Sequence, residues 1–340
     1  MFRNFLELVR KSEKYGDYKI TLCGNSTWKN LSETFDRNFV DEFIWLDRKK
    51  FYFGFVYKLN FLKNIRQLGF NTVAVATHSR EILFDDTIVN ASNAKYRIGT
   101  SGSGEEFTKW KRSLLTNSFY TELIEISDKN SFEFKINQEF FRQLLGTEMT
   151  VTKPALDTSP LLNDERIKNK YVVLFPGSND PLRIWSAKNF KVVADFILKE
   201  TDFDIVISGS AKENKFFEMI ASKTSAERFI NLFGNSLTEL AKLLAEAELL
   251  ISNDTSAVHF AAAVDTPFIC ISNGSYFGRF NPYPESVYDK GIHIYPEEIT
   301  KRISDKDYLK QKYRYSSDID INKIKPQVVI EIIKTFLNSR

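Results

Sequence analysis

Two short segments of the chain combine residue types suited to an anionic ligand. Residues 172–175 are apolar and run straight into Pro176, Gly177, Ser178, Asn179, Asp180 and Pro181; Arg183 follows, and a helix begins near Ala187. Gly177 permits close approach of the backbone, Ser178 and Asn179 offer short donors, and Arg183 carries a fixed positive fork matched to phosphate oxygens. As chemistry this is a diphosphate clamp. As plain structure it is a polar turn held by proline and asparagine, with Arg183 solvated and Trp185 in the core.

The second segment is the stronger one. Residues 249–252 read as a strand, Asn253, Asp254, Thr255 and Ser256 as a turn, and 257–264 as a helix of small residues. The unpaired N–H groups at a helix start, together with its positive dipole end, form a ready anion site. Thr255 and Ser256 add hydroxyls, and His259 sits three residues beyond Ser256, on the same face of the first turn. The alternative reading makes Asp254 or Thr255 only an N-cap and His259 a satisfied core histidine.

The elements that must position these groups alternate between strand-like and helix-like from end to end, the pattern of parallel sheets with crossover helices. In the first half, strands are expected at 18–23, 40–46, 71–76 and 95–98. Phe2, Phe5, Leu6 and Val9 keep helical spacing, as do Phe61, Ile65 and Leu68. Residues 99–106, rich in Gly, Ser and acid, read as a loop, and 150–170, with Pro154 and Pro160, as the domain boundary. The second half continues with strands at 171–175, 203–208, 228–232, 248–252 and 267–272. Helices are expected at 187–199, 212–222, 237–247 and 256–264. Ser236 and Glu239 form a capping box, and Pro326 opens a last helix with Val328, Val329, Ile332, Ile333 and Phe336 on one stripe. The expected organisation is one domain over 1–155, a second over 165–325 and a C-terminal helix over 326–340.

At 340 residues, 43% hydrophobic, the chain exceeds the usual single-domain size. A net charge of +3 and the lack of a one-faced basic helix argue against a nucleic-acid partner. The two cysteines, Cys23 and Cys270, lie in apolar runs and read as small buried hydrophobes of a reducing compartment. Residues 1–10 suit neither a secretory signal nor a spanning helix, and no apolar run reaches bilayer length, so the expected location is cytoplasmic. No cluster of carboxylates and histidines has metal-ligand spacing, and no cofactor is expected.

The strand, Pro-Gly loop and Arg-x-Trp of the first segment, followed by the strand, Asn-Asp-Thr turn and Ser-x-x-His-x-Ala-Ala-Ala of the second, resemble glycosyltransferase family 9, which contains the ADP-heptose:lipopolysaccharide heptosyltransferases. The likeness is most specific from Val172 to Pro284 and extends more weakly over 18–99. It implies a GT-B-like α/β fold, in which two Rossmann-like domains face each other across a cleft, and transfer of a sugar, such as a heptose, from a nucleotide diphosphate with inversion and without a metal. An ADP-sugar is the favoured donor, and a saccharide or lipid-linked molecule the acceptor. Carried over by position, Ser178 and Asn179 match the loop at the donor phosphates, Arg183 a cation that is usually Lys, and Asp254, Thr255 and Ser256 an Asp-Thr-Gly turn at the diphosphate. His259 matches the histidine one turn on, and Asn235 a position near the base. Asp254, an anion, suits loop ordering and donor hydroxyls better than phosphate. Arg183, the helix N–H groups and His259 would neutralise the diphosphate. His78, Ser79 and Arg80, following the 71–76 strand, are the expected acceptor-side residues, with Arg80 alternatively a surface residue at a helix start.

Two features depart from this pattern. Family members open with a strand and a Gly-Asp loop whose Asp is thought to deprotonate the acceptor, whereas Met1 begins at the following helix, and Gly16 and Asp17 read as a turn before a strand. The first domain is therefore expected to lack its first strand, which would expose ladder groups on its neighbours. Either the start lies upstream, or the chain binds nucleotide sugars without turnover. Epimerisation on a similar scaffold is a third reading. Separately, Arg48, Lys49, Lys50, Lys58, Lys63 and Arg66 occur with no acid among them, interleaved with Phe51, Tyr52, Phe53, Phe55, Tyr57 and Phe61. This stretch fits peripheral contact with an anionic membrane, on the inner face of the cytoplasmic membrane, or an ordinary crossover helix with a solvated face.

Overall fold

The computed structural model describes residues 1–102, 106–159, 161, 164–221 and 223–338, and the chain divides into two compact units, Met1–Thr152 and Lys153–Arg340. Ser103, Gly104 and Glu105 of the expected loop, Pro160, Leu162 and Asn163 of the boundary, the helix end at Ser222 and Ser339 and Arg340 of the expected C-terminal helix lie outside the described residues.

Unit 1 runs α1 (Asn4–Lys11), β1 (Thr21–Asn25), α2 (Lys29–Phe35), β2 (Glu42–Leu46), α3 (Arg48–Phe53), α4 (Phe55–Gln67), β3 (Thr72–Val75), α5 (Thr87–Ser92), β4 (Tyr96–Thr100), α6 (Glu106–Leu115), β5 (Glu122–Ile124) and α7 (Glu133–Leu145). Every strand pair is parallel. β1 pairs with β2, Thr21 opposite Glu42, while β3, β4 and β5 form a separate sheet, with Thr72 opposite Tyr96 and Ile98 opposite Glu122. Among the described residues no strand joins β1 to β3. Both are half-covered rather than buried, and Cys23 is exposed on β1, which corrects its reading as a buried hydrophobe. Gly16 and Asp17 lie in the turn between α1 and β1, where the Gly16 N–H donates to the Ser12 carbonyl at 2.8 Å.

Sequence periodicity did not reveal α2, α5, β5, α6 or α7. α7 buries Phe134, Ile136, Asn137, Phe140, Phe141 and Leu144, so it is enclosed on more than one side, and the single apolar stripe that betrays a surface helix is lost. Phe5 of α1 stacks on Phe141 with centroids 4.9 Å apart, which fastens the first helix to this core.

Unit 2 runs β6 (Tyr171–Phe175), α8 (Ala187–Glu200), β7 (Asp204–Gly209), α9 (Lys215–Ile220), β8 (Phe229–Phe233), α10 (Leu237–Ala245), β9 (Leu249–Asn253), α11 (Ser256–Ala263), β10 (Phe268–Ile271), β11 (Gly291–Ile294), α12 (Glu297–Thr300), α13 (Lys306–Tyr313) and α14 (Pro326–Asn338). Its strands make one parallel sheet in the order β8-β7-β6-β9-β10-β11. The chain winds outward from β6 through β7 to β8, then returns to the other side of β6 with β9. Strands covered on both faces must be apolar without alternation, and β7, β9 and β10 are buried at every position. Ser236 and Glu239 close their capping box at the start of α10. α14 sets Val329 and Ile333 into the same core as Phe190, Val193 and Ile197 of α8. β11, α12 and α13 went unforeseen, being short elements whose patterns do not span a full window.

Candidate functional site

In a doubly wound sheet, the loops leaving two neighbouring strands part in opposite directions where the winding reverses, and a crevice opens beyond their carboxyl ends. Here that point lies between β6 and β9. Phe175, Gly209 and the turn after Asn253 border a hollow of about 510 Å³. The eight donor-side residues expected from the sequence, Ser178, Asn179, Arg183, Asn235, Asp254, Thr255, Ser256 and His259, all line it.

The two loops converge because Asn253 bolts them together. Its buried side chain donates from Nδ2 to the Pro176 carbonyl at 2.6 Å and accepts at Oδ1 from the Trp185 N–H at 3.2 Å. Arg183 adds a third tie, donating from Nη1 to the Asp254 carbonyl at 3.1 Å, and its guanidinium lies 5.6 Å from the centre of the Tyr276 ring. Asp180 stands 3.5 Å from its Nε. The guanidinium is thus fixed at the wall of the hollow by a carbonyl, a carboxylate and a ring, and a fork held this way loses little freedom on meeting a phosphate.

At the start of α11, the Thr255 hydroxyl accepts from the Ala257 N–H at 3.3 Å and caps the helix. The plain N-cap reading of Thr255 therefore holds together with its place in the hollow. Asp254 is turned inward, its Oδ2 accepting from Asn281 Nδ2 at 2.7 Å and Ser272 Oγ at 3.2 Å. Burial raises its carboxyl to about 6, against the opposing pull of Arg183 and Ser272. This carboxylate orders the loop.

His259 requires a correction. Removal from water pulls its ring down to about 3, so near neutrality the ring is a neutral imidazole instead of a cation. Its Nδ1 meets the Tyr283 hydroxyl at 2.9 Å. When the phenol donates to Nδ1, the ring proton is on Nε2, and His259 offers the hollow a hydrogen bond without a charge.

Sequence reasoning missed Glu213, Tyr276 and Phe280 as lining residues. Glu213 accepts through Oε2 from the Ser210 N–H at 2.9 Å and the Ser210 hydroxyl at 2.7 Å. Its carboxylate also explains Gly177: a Cβ there would fall 2.1 Å from Glu213 Oε1, so the glycine makes room for this side chain and not only for a ligand. Tyr276 holds φ at 63°, a left-handed conformation uncommon for a bulky residue. The sequence signals were faint, since Ser210 and Glu213 carry capping-box spacing but a lone aromatic in a loop carries none.

The expected acceptor-side residues lie in unit 1. His78 and Arg80 are buried and Ser79 is partly so. Arg80 donates from Nη2 to Asn117 Oδ1 at 2.8 Å, sits 3.6 Å from Asp86 and stacks over Tyr120 at 4.3 Å. Asp86 in turn accepts from Thr116 Oγ1 at 2.5 Å and the Tyr120 hydroxyl at 2.7 Å. Neither the acceptor contact nor the surface reading of Arg80 fits this position, because its charge is consumed by an internal cluster.

Solved structures share this two-unit α/β architecture, which is the GT-B-like fold of the heptosyltransferases. A glycosyl transferase family 9 protein from Veillonella parvula DSM 2008 superposes with a TM-score of 0.72 at 19% identity, covering 100% of this chain and 93% of that one. E. coli heptosyltransferase WaaC with ADP-2-deoxy-2-fluoro heptose gives 0.71 at 14% identity over 98% of this chain and 95% of its own. The model of glycosyltransferase family 9 (heptosyltransferase) matches residues 121–309. The chain belongs to that family and is a glycosyltransferase. Lipopolysaccharide heptosyltransferase 3 of E. coli is 22% identical over 261 residues, 74% of either chain.

Proposed function

We propose that unit 2 holds the diphosphate of a nucleotide-activated sugar, an ADP-sugar first of all, and that the protein transfers its glycosyl group, a heptose, to a saccharide or lipid-linked acceptor. The observation carrying this reading is the convergence of Arg183, the α11 start and the Ser178–Asn179 loop on one hollow at the β6/β9 reversal. Related structures described as containing ADP and ADP-2-deoxy-2-fluoro heptose support the choice of donor. Leu237 and Leu240 with Asn235 give the hollow an apolar wall and one amide, which suits a base. The Glu213 carboxylate repels phosphate but accepts well from vicinal sugar hydroxyls.

In the proposed reaction an acceptor hydroxyl oxygen bonds to the anomeric carbon as the bond from that carbon to the phosphate oxygen breaks. The nucleoside diphosphate leaves with the electron pair, the hydroxyl proton passes to a base, and the configuration inverts. Arg183 and the N–H groups of α11 stabilise the growing charge on the leaving group, so no metal is required for that task. None of the residues lining the hollow is assigned as the base, since His259 is too weakly basic, the Asp254 carboxylate is turned to Asn281 and that of Glu213 is engaged with Ser210.

Thermal unfolding with ADP, UDP and GDP, alone and as sugars, tests the donor, because a ligand of the native state raises the melting point by mass action. A selective rise with the adenine compounds is expected; no rise with any of them ends this reading. Saturable binding without glycosyl product from ADP-heptose and lipopolysaccharide acceptors would instead favour the binding protein without turnover.

A further inference from the structure

The side chains that α11 and its turn bring to the hollow are braced from behind by residues 281–283. Asn281 donates to the Asp254 carboxylate at 2.7 Å, and the Tyr283 hydroxyl meets His259 Nδ1 at 2.9 Å. β11, the edge strand of the sheet, grips this segment at the same two residues. The Tyr295 hydroxyl, immediately past the strand, donates to Asn281 Oδ1 at 2.8 Å, and His293 Nε2 accepts from the Tyr283 N–H at 3.1 Å. Side chains alternate along an extended chain, so residues 293 and 295 share a face; their rings stack 13° from parallel with centroids 6.4 Å apart. Asn281 and Tyr283 are therefore each held by a polar ring from this edge.

His293 is the more informative of the two rings. A backbone N–H only donates, so Nε2 is the acceptor, and in the neutral ring the proton is on Nδ1. Burial pulls this ring down to about 3, which makes the neutral form the one present near neutrality. Its Nδ1 is buried and has no hydrogen-bond partner among the described residues. The ring packs edge-on to Phe268 at 5.4 Å and beside Tyr283, surroundings that would suit a phenylalanine. A histidine there leaves one nitrogen unpaired, so what it adds is the bond to the Tyr283 N–H. That bond fixes the backbone from which the phenol reaches His259. A phenol donating to Nδ1 keeps the His259 proton on Nε2, so the two histidines hold opposite tautomers and only His259 lines the hollow. We propose that His293 is a positioning residue: by holding the backbone of Tyr283 it keeps the phenol on His259 Nδ1 and so presents the His259 Nε2–H to the ligand. That the ligand group is a diphosphate rests on the donor reading; the tautomer does not.

Nuclear magnetic resonance of the full chain with 15N-labelled histidine tests this, because its three histidines are told apart by substitution and each ring nitrogen reports whether it carries a proton or accepts a hydrogen bond. In the parent, His293 is expected with its proton on Nδ1, and His259 with its proton on Nε2 and a bonded Nδ1. H293F keeps a ring but removes the acceptor, and it should move the His259 Nδ1 resonance in the direction and to the extent that Y283F does. H293Q, whose amide oxygen accepts from the Tyr283 N–H, should leave that resonance in place. Affinity for ADP-heptose should fall about fivefold in H293F and in Y283F, and no further when the two are combined. A His293 proton on Nε2 in the parent, a measurement that needs no variant to fold, overturns the proposal. An unmoved His259 resonance in a folded H293F does the same, as does a combined loss of about 25-fold, the product of two independent effects, which would mark His293 as a packing residue alone. If ADP-heptose does not bind the parent, the donor reading fails and the resonances still decide the positioning.

Discussion

The two units are built from the same parts and carry their charges in opposite ways. Unit 2 has one continuous sheet, with β7, β9 and β10 buried at every position and an arginine left facing an open hollow. Unit 1 has two short sheets with half-covered strands, and its comparable arginine is spent on holding the interior together. An unbroken doubly wound sheet secures its loops from beneath, so Arg183 and the turn at Asp254 can serve a ligand. In unit 1 a buried polar cluster adds to the pairing of β3, β4 and β5 by joining the segments that connect these strands. Arg80, Asp86, Thr116, Asn117 and Tyr120 link the segments following β3 and β4 in this way.

The sharpest way to break this comparison is Arg80→Ala. It leaves Asp86, whose side chain is fully buried, with two hydroxyl donors and no countercharge. Losing one partner of a buried pair costs about 3–5 kcal/mol, and the hydroxyls bring the expected value to about 3 kcal/mol. Hydrogen exchange should show the loss in β3, β4 and β5 with β6 to β10 unaffected. Unchanged protection in unit 1 would show that the cluster joins nothing.

Asn253→Ala is the matching experiment in unit 2. It orphans the Pro176 carbonyl and the Trp185 N–H in the interior, at roughly 1–3 kcal/mol for each group, and it frees the two loops from each other. A fall in stability of about 2–3 kcal/mol is expected together with loss of the ADP-induced shift in melting. Retention of that shift would mean that the loops meet without the bolt.

How much of this was legible differs between the units for the same physical reason. Strands covered on both faces write themselves as apolar runs, so β6 matches its expected 171–175 and the other four expected unit 2 strands lie within two residues of their forecasts. A capping box is a local signal, and Ser236 with Glu239 gave the start of α10. β1 and β2 are half-covered, their patterns blur, and the forecasts of 18–23 and 40–46 begin early. β5 has three residues, too few to show any period. Eight lining residues were readable because backbone geometry and side-chain chemistry coincide at strand ends. Asn253 was read only as part of a turn, and its bridging role depends on Pro176, 77 positions away. Arg80 misled because a cation after a strand looks the same in sequence whether it faces a ligand or a buried aspartate.

Arg183→Ala sharpens the contrast with Arg80. The side chain is partly open and its protein ties are to one carbonyl, one carboxylate and one ring, so stability should change by less than about 1 kcal/mol. Loss of charge-assisted bonds to a diphosphate is worth about 1.5–3 kcal/mol, or roughly 10- to 150-fold in affinity. Calorimetric titration with ADP against the melting temperature of the free protein separates the two. A destabilised variant with unchanged affinity would place Arg183 with Arg80 as a structural cation.

The smallest effect concerns His259 and asks whether unit 2 meets its ligand with two charged side chains or one. Tyr283→Phe removes the hydroxyl facing Nδ1 and with it the partner that holds the ring proton on Nε2, so one neutral hydrogen bond from His259 to the ligand is at stake, about 1 kcal/mol or about fivefold in affinity. The pH profile is the more discriminating measurement. A ring at about 3 in the free protein rises when an anion binds, but a rise that leaves it below 6 keeps the site neutral on both sides of the equilibrium. Affinity for an ADP-sugar, whose diphosphate is esterified at both ends and does not titrate near neutrality, should then be flat from pH 8 to pH 6. If the bound ring were instead an imidazolium, binding would take up one proton, and affinity would climb about tenfold for each unit of falling pH across that range. Such a climb, abolished in His259→Gln, would restore the histidine as a second cation and remove the distinction drawn here between a charged clamp and a neutral donor.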